Sequence, residues 1–97
     1  MLYQAVKKIA GGKLIRVKLE ADAQINAVRI SGDFFLHPED SLPEIEKNLV
    51  GLSTATDHPA LAQRIHESLL SQKAAFIGVT PEDIAAILIE ALNPPVS

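Results

Sequence analysis

The hydrophobic pattern of this chain changes once, near residue 36, from a repeat of two to a repeat of three and four. That switch restricts the fold more than any other feature of the sequence. Before it, Ile15, Val17 and Leu19 alternate with Arg16 and Lys18 across residues 13–19, the signature of a strand buried on one face. Residues 25–31 repeat the pattern, with Val28 and Ile30 on one side and Ala27 and Arg29 on the other. Residues 20–24 between them are short and polar, which predicts an antiparallel hairpin. Residues 3–9 form a weaker strand candidate, and Gly11-Gly12 behind them supply the positive φ angles of a tight turn. The expectation is a three-stranded antiparallel meander over about residues 2–31.

Three helices are predicted after the switch, over about residues 41–93. Ser41 and Glu44 have the spacing of a capping box, with Leu42, Ile45 and Leu49 as the apolar stripe and Gly51 as the stop. Asp57 precedes Pro59, and Leu61, Ile65 and Leu69 recur every fourth position. Thr80-Pro81 with Asp83 marks the third start, followed by the stripe Ile84, Ile87, Leu88, Ala91 and Leu92 and a stop at Pro94-Pro95. A sheet with one apolar face and three helices with one apolar stripe each bury one another most simply as an α+β fold, the helices on one side of the sheet. A length of 97 residues predicts one domain spanning 1–97. A chain of that size buries roughly 60–70% of its unfolded surface, which leaves little core for a deep pocket.

Charge is distributed unevenly. Residues 1–32 hold six Lys or Arg against two acids, a net of +4, whereas residues 33–97 hold three against ten, a net of −7. The total of −3 argues against a nucleic-acid binder that relies on phosphate contacts. The absence of cysteine excludes disulfides, thiolate metal sites and thiol nucleophiles. No charged-then-apolar leader is visible and no apolar run reaches the ~18 residues of a membrane span, so a cytoplasmic location is expected.

Gly11-Gly12-Lys13 invites comparison with a phosphate-binding loop. That loop needs glycine five positions before Gly12 and Ser or Thr after the lysine, where this chain has Lys7 and Leu14. The motif is therefore a hairpin tip that presents a lysine. His37, His58 and His66 lack a chelating spacing, and no metal site is predicted. Glu39, Asp40, Glu44 and Glu46 gather where the first helix should begin, a position its dipole favours. No nucleophile, base or metal set can be assembled, so no catalytic residue is assigned. Asp33-Phe34-Phe35 stands apart: adjacent aromatics after a continuing strand cannot both face one core, so the pair either packs at the strand-to-helix switch or leaves a patch that faces a partner.

Lys7-Lys8, Gly-Gly-Lys-Leu-Ile-Arg-Val at 11–17, Val-Arg-Ile-Ser-Gly-Asp-Phe-Phe at 28–35, Pro38, and Leu-Val-Gly-Leu at 49–52 together resemble the C-terminal accessory domain of lipoate–protein ligases. The resemblance implies a fold of the SufE/NifU type, although the cysteines on which those proteins depend are missing here. It also implies an accessory subunit that supports ATP-dependent activation of lipoate to lipoyl-AMP by a separate catalytic subunit. Lipoate and ATP, with magnesium, would then be bound in the assembled ligase and not by this chain alone. Under this reading Gly11, Gly12, Lys13 and Arg16 lie beside substrate or nucleotide, and Lys7, Asp33, Phe34 and Phe35 lie at the partner interface. The alternative is a non-catalytic module whose basic hairpin docks an acidic partner such as a lipoyl domain. Neither reading involves nucleic acid or a membrane.

Overall fold

In the computed structural model, which describes residues 1–93, strands β1 (Leu2–Lys8), β2 (Leu14–Ala21) and β3 (Ile25–Gly32) form an antiparallel sheet in the order β1-β2-β3. The alternation seen in the sequence sets which face is covered. Ile15, Val17, Leu19 and Ala21 of β2 and Ile25, Val28 and Ile30 of β3 are buried, whereas Arg16, Lys18, Glu20, Ala27 and Arg29 point the other way and are exposed. Register follows from the same demand, because a slip of one residue would turn the buried set outward. Val17 lies between Ala5 and Ile30, and Leu19 between Tyr3 and Val28.

The helices α1 (Leu42–Leu49), α2 (His58–Gln72) and α3 (Pro81–Leu92) cover the apolar face. Ile45 and Leu49, then Leu61, Ile65 and Leu69, then Ile84, Ile87, Leu88 and Ala91 form one core with the sheet. Burial at roughly 25 cal/mol per Å² of apolar surface is the main stabilising term. The buried Ser68 hydroxyl accepts from Asn48 Nδ2 at 2.7 Å and from Gln72 Nε2 at 3.2 Å, so the α1–α2 contact carries no unpaired polar group there.

Two helix starts match their sequence signals. The Asp57 carboxylate accepts from the Ala60 N–H at 3.0 Å. Thr80 and Asp83 form a complete capping box, with bonds of 3.1 and 3.0 Å. The first start differs. Ser41 is buried in a 3-10 turn (Glu39–Ser41) that runs straight into α1, has αR backbone angles and makes no capping bond. Glu46, expected beside the helix N-terminus, reaches across instead and accepts from the Ile30 N–H of β3 at 2.7 Å. The stop expected at Pro94-Pro95 lies outside the described residues.

A second sheet was not anticipated. β4 (Phe35–His37) pairs antiparallel with β5 (Ala75–Ile77), Phe35 opposite Ile77 and Leu36 opposite Phe76. The chain enters it through a left-handed turn at the end of α2, made by a residue other than glycine. Lys73 adopts φ 53°, ψ 42°, and the Ala74 N–H donates to the Leu69 carbonyl at 2.9 Å, which turns the chain sharply into β5. Among the described residues, no helix is long and apolar enough to cross a membrane.

Candidate functional site

The corner where β3 leaves the main sheet is fixed by a close backbone approach. Gly32 has φ 150°, and a Cβ on it would collide with the Leu14 carbonyl oxygen and lie 2.9 Å from the Ile15 Cα. Only glycine lets β3 end directly against the start of β2. The next amide, Asp33 N–H, donates to that same Leu14 carbonyl at 2.8 Å. Residues 33–35 are thereby brought beside the β1–β2 hairpin tip.

The tip is a short turn over Ala10–Gly12, closed by Gly12 N–H to Ile9 O at 3.0 Å and by Ile9 N–H to Lys13 O at 2.9 Å. Gly11 and Gly12 both have positive φ, 86° and 78°, as the turn was expected to require. A Cβ at either would meet nothing within 4 Å, so dihedral angle and not space demands glycine at both positions. Gly11, Gly12 and Lys13 line one side of a cleft of about 540 Å³; Gly32, Asp33, Phe34 and Phe35 line the other. Two motifs twenty residues apart in the sequence thus share one concavity.

Lys13 is half-buried. Its stem passes over Gly78, where an added Cβ would stand 3.6 Å from the Lys13 Cε and 4.0 Å from the Asp33 carbonyl oxygen. The far end of the lysine stem therefore lies close to the backbone of the β5–α3 connection.

The two phenylalanines divide as their adjacency required. Phe34 is half-buried and meets Phe76 edge-to-face, centroids 5.6 Å apart at 79°. Phe35 is 70% exposed, and its cross-strand neighbour Ile77 is 61% exposed. The pair makes an apolar step at the rim of the cleft. Ile77 was not singled out from the sequence. The usable signal was the short β-branched and aromatic run Ala75-Phe76-Ile77 closed by Gly78.

The remaining candidates lie elsewhere. Arg16 stands on the outward face of β2, between Val6 and Ser31, and does not line the cleft. The Lys7 ammonium is 2.8 Å from the Glu90 carboxylate of α3, in a pair half-open to solvent that ties β1 to the helical layer. His58 and His66 line the same shallow concavity along α2, where the His58 Nε2 donates to the Glu82 carbonyl at 2.9 Å. Among the described residues no ionisable side chain is buried, and no group of three or more His, Cys, Asp or Glu is arranged to hold a metal ion. Among the described residues the cleft brings one cation, Lys13, and one carboxylate, Asp33, to a concavity otherwise lined by glycine and phenylalanine.

No family model matches the chain. It is 35% identical over 89 residues to lipoate-protein ligase A subunit 2 of Thermoplasma acidophilum, an overlap that covers 91% of this chain and 88% of the relative. Its fold superposes with a TM-score of 0.73 and 36% identity on a chain from the structural analysis of an archaeal lipoylation system, a bi-partite lipoate protein ligase and its E2 lipoyl domain from the same organism. That superposition covers 91% of this chain and 94% of the other. With this identity sustained over nearly the full length of both chains, on a common fold, the chain belongs to the family of second subunits of two-part lipoate–protein ligases.

Proposed function

We propose that this chain is the accessory subunit of a lipoate–protein ligase and supports activation of lipoate by a separate catalytic subunit in the cytoplasm. The observation that carries the reading is the cleft, in which the glycine tip, its lysine and the Asp33-Phe34-Phe35 corner converge beside an exposed apolar pair. Activation joins the lipoate carboxylate to the α-phosphorus of ATP, with pyrophosphate leaving, and yields lipoyl-AMP. Negative charge shifts onto the departing phosphates as that bond breaks. A cation held on a preformed support stabilises such charge without reorganising during the reaction. Lys13, at the glycine tip with its stem close to Gly78, is placed to supply that cation once the cleft is closed over the catalytic subunit's site. Lipoate, and ATP with its magnesium, are bound by the assembled ligase, and this chain contributes position and charge.

Phe35 and Ile77 supply the adhesive part of the contact. Two large apolar side chains kept side by side in water fit the centre of a protein interface, where burial converts their exposure into affinity.

The test is reconstitution. Adding the chain to its catalytic partner is expected to raise lipoate-dependent pyrophosphate exchange, and no gain over the partner alone would sink the reading. In the reconstituted enzyme Lys13→Ala is expected to lower the exchange rate by roughly 10- to 100-fold while the subunits still co-elute, on the scale of losing one preorganised charge-stabilising group. A change below about twofold would leave Lys13 as a solvated lysine with no part in activation.

A further inference from the structure

The face of the three-stranded sheet that points away from the helices is also uncovered, and it is basic. Lys8, Arg16, Lys18 and Arg29 all project from it and are exposed; Glu20 is the acidic residue on its strands, and Glu46 of α1 borders it at the β3 edge beside Arg16, Lys18 and Arg29. The register sets Lys18 directly opposite Arg29. Like charges in that position repel across an antiparallel pair. None of the four cations forms an ion pair among the described residues, although the chain has acids to spare beyond residue 32. Leu2 and Val6 share the face at 80% and 51% exposure, and a shallow concavity of about 510 Å³ runs over Lys18, Ala27 and Arg29.

We propose that this outward sheet face docks the acidic surface of the acceptor protein that receives the lipoyl group, a lipoyl domain. The inference rests on the accessory-subunit reading and assigns a second surface, distinct from the cleft. Charge complementarity selects the occupant. An acidic domain is drawn to four unpaired cations and repelled by the net −7 of the remainder, so the charge asymmetry both attracts and orients it. The apolar side chains set among the cations suit a protein surface better than a phosphate backbone. Position agrees as well: β2 starts one residue beyond Lys13, and at ~3.3 Å per residue Arg16 lies roughly 10 Å along the strand from the cleft. An acceptor seated on the cationic row is held next to the place where its activated group is made.

The test uses the reconstituted two-subunit enzyme and an unmodified lipoyl domain as probe. Reversing both charges, Lys18→Glu with Arg29→Glu, is expected to leave acceptor-free pyrophosphate exchange within twofold. The KM for the lipoyl domain should rise at least tenfold at low salt with little change in kcat, and the salt dependence of KM should flatten. The milder pair Lys18→Gln and Arg29→Gln, which removes charge with less risk to folding, should give an intermediate rise. An unchanged KM in either pair overturns the proposal. So does loss of subunit co-elution in a variant that still melts cooperatively, because the face would then belong to the catalytic subunit. Titrating the lipoyl domain into the free chain, read by amide shifts along β1–β3, separates this inference from the one it rests on. Shifts confined to that face support docking even if pyrophosphate exchange shows no gain, and their absence counts against it.

Discussion

The chain builds two antiparallel sheets by different means. The three-stranded sheet has strands of seven or eight residues, with one face sealed by three helices. The β4–β5 ribbon has strands of three residues, each partly solvent-facing. In the first, burial of a whole apolar face dictates register. In the second, three residue pairs have no such authority, and the ribbon depends on what holds its ends: the Gly32 corner, the Lys73 turn and the Phe34–Phe76 contact. A stable sheet and a dependent one are set side by side, and the cleft lies where they meet.

The comparison can be broken at the strong partner first. Leu19 is buried at the centre of the large sheet, and Leu19→Ala is expected to cost about 3 kcal/mol in urea or thermal unfolding, through lost burial and the cavity left behind. A cost below about 1 kcal/mol would mean that the sheet is not held by its covered face. The junction comes next. Gly32→Ala should cost about 2 kcal/mol, because a methyl group there meets the β2 backbone and the residue sits where side chains are strained. Amide exchange should then rise in β4 and β5 before it rises in β2, and uniform loosening would show that the corner does not serve the ribbon. The smallest stability effect belongs to the ribbon's outer side. Phe35→Ser should change unfolding free energy by less than about 0.5 kcal/mol, as for other exposed positions. It should nevertheless weaken association with the catalytic subunit at least tenfold by calorimetry; equal affinity would release the Phe35–Ile77 step from that role.

Legibility in the sequence followed the same division. Ile15, Val17 and Leu19 announced their strand because burial on one side enforces alternation over enough residues to see. Thr80 and Asp83 announced their helix because the capping bonds are local. Ser41 misled, since its fate was decided by the preceding turn, which carried it into the core before the helix began. Glu46 misled for a related reason: its partner, the Ile30 amide, is sixteen residues away. The ribbon escaped notice because three residues are too few for a period, and Lys73 took a left-handed conformation that sequence reading reserves for glycine or asparagine. The cleft was legible as two motifs and illegible as one place. What joined them was the missing side chain at Gly32, whose importance appears only once β2 lies beneath it.

The Glu46 carboxylate on the Ile30 amide has one more consequence. With Leu52 O and Gly51 N–H bonded to Ile25, and Gln24 bridged to Ser53, it occupies hydrogen-bonding positions along the free side of β3. Among the described residues no such bond reaches the outer edge of β1. An open edge is where a foreign strand can be added. Growth of this sheet, whether by a partner's extended segment or by mispairing between copies, therefore has one direction left, past β1, where Lys7 and Lys8 guard the end of the strand and Leu2–Val6 carries no charge.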